Sequence, residues 1–227
     1  MEFYQREGTT DQKVIDEVVK RNVYEHKKSG FLLKNSPIWL DLGGNIGTFA
    51  CKASAAGCRV ISYEPEPENY DYLCRNIERN GANATAVKAG VVAGESGTLD
   101  LYVCKGDYNK YRHTIFKKRG RQTITIDVHN FKKVLKEHKP NGIKLDIEGA
   151  EIDILDSMKP TDWPKCVNQV TFEYSFDIDP SIARFKRIVD NLKEHFDVVH
   201  HRKMDWTKEK YEYWPAAVMV YAWKSTS

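Results

Sequence analysis

The chain has 227 residues, with 35 Lys and Arg against 32 Asp and Glu, a formal charge of +3 at pH 7. That length argues for one sizeable domain with a full core rather than two, and so slight a charge excludes a dedicated nucleic-acid coat. With 41% hydrophobic and 30% charged residues, patterned throughout, the chain is no disordered protein, and its longest apolar run, Ala216 to Trp223, is far short of the roughly 20 residues that span a bilayer.

The opening MEFYQREGTT is charged and lacks the apolar core of a secretion signal. Five cysteines, Cys51, Cys58, Cys74, Cys104 and Cys166, form no CxxC pair and mostly sit in apolar runs, as buried thiols of a reducing compartment do. A cytoplasmic location is the expectation.

Helical and strand periodicities then alternate. Val14, Ile15, Val18, Val19 and Val23 repeat at helical spacing after Thr9-Thr10-Asp11, whose side chains suit capping. Ile38 to Leu42, bounded by Pro37 and Gly43, reads as a buried strand, and so does Arg59 to Tyr63. A helix starting near Gly47 lies between them, and Tyr70, Leu73, Cys74 and Ile77 mark a second crossover helix after Pro65-Glu66-Pro67. Ala84 to Val92 is a further strand. Leu99, Leu101 and Val103, then Ile124, Ile126 and Val128, alternate as half-exposed strands do. Phe131 to His138 predicts a helix, Ile143 to Ile147 a strand, and Ile152 with Leu155 another helix. Val167 to Tyr174 is strand-like, Ile182 to Phe196 carries a helical stripe, and Val198-Val199 with Ala216 to Trp223 can close the sheet as a hairpin pair. Such alternation predicts a mostly parallel α/β sheet with helices on both faces and a ligand crevice at the carboxyl ends of the strands.

Three segments carry chemistry. In Asp41-Leu42-Gly43-Gly44-Asn45-Ile46-Gly47, glycines after a strand allow a tight turn and let backbone N–H groups approach a ligand. An acid two places before the first glycine would repel a pyrophosphate, whereas it can balance an ammonium or sulfonium. Glu64, ending the next strand, is placed to accept from both hydroxyls of a ribose. In Ile143-Lys144-Leu145-Asp146-Ile147-Glu148-Gly149-Ala150-Glu151, charged groups interrupt a buried strand, which costs free energy unless they pair with each other, a metal or a substrate. Lys144 and Glu151 read equally as an internal ion pair and a helix cap. Glu173 ends the following strand and can face Asp146, so that the two carboxylates either chelate Mg²⁺ or Mn²⁺ or serve as base and orienter. His113, in Tyr108-Asn109-Lys110-Tyr111-Arg112-His113-Thr114, is the rival base, in a loop whose aromatic and cationic residues suit a sugar as well as solvent.

DLGGNIGTF, SYEPEPENYDYLCRNIERNG, TITIDV and IKLDIEGAEIDIL, in that order, resemble the FkbM-type S-adenosylmethionine-dependent methyltransferases, and REGTTDQKVIDEV resembles their lead-in. The resemblance runs from about residue 6 to 175. It implies a single class I methyltransferase domain over 1–227, with a helical lead-in over 1–35 and a Rossmann-like seven-stranded sheet over 36–227 in the order 3-2-1-4-5-7-6. It also implies S-adenosylmethionine as cofactor and O-methylation of a sugar, glycan or other small-molecule hydroxyl. On that resemblance Asp41, Gly43, Asn45 and Gly47 line the methionine part of the cofactor, Glu64 takes the ribose, and Ala89, Gly90 and Val91 border the adenine. Asp146, Glu148, Glu173 and His113 are the catalytic candidates, and Asp146 and Glu173 the metal ligands.

Two other readings stand beside it. The cations Lys105, Lys110, Arg112, Lys117, Lys118, Arg119 and Arg121 suit phosphates, as in a nucleic-acid methyltransferase. Against it, the position where base-methylating enzymes carry Asn/Asp-Pro-Pro-aromatic reads Asp146-Ile147-Glu148-Gly149. A non-catalytic cofactor- or glycan-binding module would not need the costly cluster Asp146, Glu148 and Glu173. Trp206, Tyr211, Tyr213 and Trp214 can stack on sugars or fill a core, and the chain could be one domain of a longer glycan-modifying polypeptide.

Overall fold

A computed structural model describes residues 1–103, 122–201, 204 and 216–225. Strands β1 (Ile38–Leu42) and β2 (Arg59–Tyr63) have the limits their flanking Pro and Gly predict, with α2 (Thr48–Ala55) between them. After β2, α3 (Pro67–Arg79) starts cleanly because Pro67 needs no amide partner at its first position and the Glu66 carboxylate accepts from Asn69 N at 2.7 Å. The chain continues through β3 (Ala84–Val87), β4 (Gly90–Val92), β5 (Gly97–Val103), β6 (Gln122–Asn130), α4 (Phe131–His138), β7 (Gly142–Leu145) and α5 (Ala150–Ser157). It ends with β8 (Gln169–Ser175), α6 (Ile182–Lys193), β9 (Val198–His201) and β10 (Ala217–Trp223).

Among the described residues, seven strands form one sheet in the order β3-β2-β1-β7-β8-β10-β9. β10 runs antiparallel to β8 and β9, and the other pairs are parallel. In chain-order numbering this differs from the expected 3-2-1-4-5-7-6, because β4, β5 and β6 leave the main sheet and pair as β4-β6-β5. The seven sheet members, counted alone, keep the expected succession. Ala84 to Val92 is therefore two strands in two sheets: Val87 O accepts from both Glu64 N and Ala89 N at 3.0 Å, and the chain turns there.

Side chains on the sheet alternate between two cores, as the period of two requires. Leu40, Leu42, Ile143, Leu145 and Phe172 pack with α4, α5 and α6 on one face. Trp39, Val60 and Tyr221 pack on the other face with α2, α3 and the N-terminal segment, which contributes Val18, Tyr24, Phe31 and Leu33. That segment is not the single helix its spacing predicts. Helix α1 covers only Asp11–Ile15 and widens into a π-helical turn, Asp16–Lys20. The Thr10 side chain does not cap it; instead Arg6 grips the Asp11 carboxylate through its backbone N, Nε and Nη2, each at 2.9 Å.

Candidate active site

A cavity of about 310 Å³ opens at the carboxyl ends of β1, β2 and β7. Its wall contains Gly43, Asn45, Glu64, Ala89, Gly90, Asp146, Glu148 and Glu173 of the residues singled out in the sequence, whereas Asp41 and Gly47 do not reach it.

The turn after β1 explains why its glycines are there. Gly43 has φ +84°, and a Cβ on it would fall 1.9 Å from Asp146 O. Only glycine lets the turn after β1 lie against the end of β7. The amides of this turn are all used within the protein: Gly43 N and Gly44 N donate to Tyr63 O, Asn45 N to Glu64 Oε2, Ile46 N to Asn45 Oδ1 and Gly47 N to Gly44 O. The expectation that these amides approach a ligand is thus corrected. A pyrophosphate needs free N–H groups at such a turn, and this one offers none. Thr48 supplies the opposite observation: the residue stands in the cavity wall and is 2% exposed, and its buried hydroxyl has no hydrogen-bond partner among the described residues. Such a buried donor calls for a ligand atom.

Glu64 is buried, and its two oxygens accept from Asn45 N at 2.8 Å and Glu66 N at 2.9 Å. Burial pushes its carboxyl up to about 7 despite those two bonds. Each oxygen keeps a lone pair for a further donor.

Asp41 and Lys144 are direct partners in the parallel pairing of β1 with β7. Asp41 is fully buried and lies 3.0 Å from Lys144 Nζ, while Ser62 Oγ donates to its other oxygen at 2.7 Å. Lys144 Nζ also donates to Gly43 O at 2.7 Å. Burial works against the Lys144 charge, but Asp41 and Asp146 outweigh it and hold the ammonium protonated. Asp41 is therefore the counter-ion beneath the site rather than a group lining it, and Lys144 ties the glycine turn to β7.

Strand β7 stops at Leu145, two residues earlier than expected, and Asp146 N donates to Leu42 O as the chain turns. This brings Asp146 and Glu148 into the cavity wall. Glu148 holds φ +53°, a left-handed conformation that a non-glycine residue adopts at a cost. Glu173 follows the last paired residues, Leu145 and Phe172, and so comes up beside Asp146. Glu151 serves as the cap: its carboxylate accepts from Gly149 N at 2.9 Å and Ile147 N at 3.3 Å, and burial pushes it up to about 8.

Sequence reasoning missed Tyr24. Its hydroxyl donates to Asp146 Oδ2 at 2.5 Å, over 122 positions of chain. Its phenol is held well above its ordinary ionisation range, first by burial and then by Asp146. Nothing in the local pattern around Tyr24 signals this partner.

The donor set does not fit the expected Mg²⁺ or Mn²⁺ at Asp146 and Glu173. Asp146 Oδ2 already accepts from Tyr24 and stands 4.0 Å from the Lys144 ammonium, where a hard divalent cation needs further oxygen ligands. Among the described residues no group of three or more His, Cys, Asp or Glu side chains could hold a metal ion. His113, the cationic stretch from Lys105 to Arg121, Cys104 and the aromatics Trp206, Tyr211, Tyr213 and Trp214 lie outside the described residues. Cys51, Cys58, Cys74 and Cys166 are free thiols. No helix among the described residues is long and apolar enough to cross a membrane.

Residues 41–202 match the family model described as the methyltransferase FkbM domain. The chain belongs to this family. The match takes in both turns of the site and stops short of the N-terminal segment. Two relatives are the methyltransferase sdnD of Sordaria araneosa, 27% identical over 61% of this chain and 66% of that protein, and the hexuronic acid methyltransferase AglP of Haloferax volcanii, 29% identical over 63% of this chain and 57% of that protein. The chain thus spans less than two thirds of the length of either relative. Among solved structures, the precorrin-6y C5,15-methyltransferase of Geobacter metallireducens GS-15 is 14% identical with a TM-score of 0.48, covering 99% of this chain and 95% of that one.

Proposed function

We propose that the chain is an S-adenosylmethionine-dependent O-methyltransferase acting on a hydroxyl of a sugar or glycan. The observation that carries this reading is the close approach of Gly43 to Asp146 O, which sets the glycine turn, Glu64 and a second carboxylate around one cavity. Bound S-adenosylmethionine would supply a methyl group activated by a sulfonium. The residues present fit that group. Glu64 has lone pairs for the two ribose hydroxyls, the Thr48 hydroxyl lacks a partner among the described residues, the small residues Ala89 and Gly90 in the wall leave room for the adenine, and the exhausted amides of the first turn suit a ligand without phosphate.

A sugar hydroxyl is a poor nucleophile at neutral pH and must lose its proton as the new C–O bond forms. Asp146 is placed to take it, with Lys144 and Asp41 beneath fixing the local charge. Glu148 and Glu173 flank Asp146 in the same wall and are the groups to hydrogen-bond the remaining hydroxyls of the acceptor. The activity of AglP on a hexuronic acid supports a sugar as acceptor. The test is Asp146→Asn: affinity for S-adenosylhomocysteine stays within about threefold, while methyl transfer to a panel of hexoses, hexuronic acids and their oligosaccharides falls by about a hundredfold or more. Undiminished transfer by that variant overturns the role of Asp146.

A further inference from the structure

The N-terminal segment reaches into the cavity, although it precedes the residues matched by the family model. Lys13, Glu17 and Tyr24 all stand in the wall. Tyr24 is held from several sides. Its ring meets Phe49 edge-on with centroids 5.4 Å apart, Lys144 Nζ lies 5.3 Å from its centroid, and the carbonyl of the preceding Val23 accepts from Tyr221 Oη at 2.6 Å. The side chain is 8% exposed. Its ring packs into an apolar cluster with Val18 and Phe49, where phenylalanine would fill the space as well. The hydroxyl is costly there unless bonded, and the bond it makes is to Asp146 Oδ2.

We propose that Tyr24 is a positioning residue, whose hydroxyl holds one oxygen of Asp146 so that the other faces the acceptor hydroxyl. The inference rests on the reading of Asp146 as proton acceptor. Lys144 Nζ, 4.0 Å from the same oxygen, approaches from below, and no hydrogen bond to Oδ1 occurs among the described residues. Oδ2 is thus engaged by both groups, and Oδ1 of this cavity-lining carboxylate is left for a further donor. Around the Tyr24 hydroxyl stand the anions Asp146, Glu173 and Asp41 and the cation Lys144.

Two readouts test this. By proton NMR, the wild type shows a slowly exchanging, downfield tyrosine hydroxyl proton that disappears in both Tyr24→Phe and Asp146→Ala, which leaves no acceptor oxygen. A wild type without that proton, or its survival in Asp146→Ala, overturns the inference whatever the acceptor. In methyl transfer, Tyr24→Phe lowers kcat about tenfold or more, while KM for the acceptor and S-adenosylhomocysteine affinity stay within about threefold. Full kcat in Tyr24→Phe overturns the positioning role alone. A wild type inert on every sugar acceptor contradicts the parent reading instead, and the hydroxyl proton still decides whether Tyr24 holds Asp146.

Discussion

Ligand binding should depend on pH with a sign and a size set by Glu64. Its carboxyl is raised to about 7 by burial, so in the empty cavity it is mostly protonated below neutrality, while a ribose that donates two hydrogen bonds to it requires the ionised form. At about pH 6 only about one Glu64 in eleven is ionised, against about ten in eleven at about pH 8, so the apparent Kd for S-adenosylhomocysteine should fall about tenfold across that interval. Binding at about pH 6.5 should release about three quarters of a proton, read as a titration enthalpy that varies with the ionisation heat of the buffer. Glu64→Gln removes the titrating group. It should flatten the dependence and weaken binding at about pH 8 by tenfold or more, because a bond to a charged acceptor contributes about 1.5–3 kcal/mol. The substitution also turns an NH₂ group towards Asn45 N or Glu66 N, both of which are donors. A wild-type Kd equal at the two pH values, or a slope that survives in Glu64→Gln, would refute the reasoning.

Three further outcomes follow from the packing. Gly43→Ala places a Cβ against Asp146 O in a left-handed turn, and S-adenosylhomocysteine affinity measured on the folded variant should drop more than about tenfold; wild-type affinity and Tm would contradict the close approach. Lys144→Met strands the buried Asp41 carboxylate, which should cost about 3–5 kcal/mol in urea unfolding, with most of it recovered in Lys144→Met/Asp41→Asn; a loss below about 1 kcal/mol would contradict the ion pair. Glu151, raised to about 8 from 4.5, and Glu64, raised to about 7, both bind protons more tightly folded than unfolded. Their stabilisation is complete below about pH 4.5 and is lost as pH rises. The part lost above about pH 7 belongs to Glu151, so Glu151→Gln should flatten the stability curve between about pH 7 and pH 8, and an unchanged slope would contradict its burial.

Strand limits were legible wherever a breaker marked them, as Pro37 and Gly43 mark β1. They were illegible where the ending is a tertiary event: β7 stops at Leu145, where Asp146 N makes the last ladder bond to Leu42 O, and Ala84 to Val92 divides because Val87 O accepts two amides. The candidate site was legible as a set of residue types. Glu64, Asn45, Asp146, Glu148 and Glu173 meet in one cavity because strand-end positions of a parallel sheet converge at its carboxyl edge. Roles were harder to read than places. Asp41 looked like a ligand group because an acid precedes the glycines, but it sits two residues short of the turn, fully buried and paired with Lys144, whose side chain is the one that reaches the cavity. Tyr24 carried no local signal, since its partner is reached through the fold of the whole N-terminal segment.

The most direct test of the central claim is methyl transfer itself: the chain is incubated with methyl-¹³C S-adenosylmethionine and the sugar panel, and the product is read by NMR. The account predicts one equivalent of S-adenosylhomocysteine for each new methyl group and a ¹³C signal on oxygen. A methyl group found on nitrogen or carbon, or no S-adenosylhomocysteine with any hydroxyl acceptor, would contradict it.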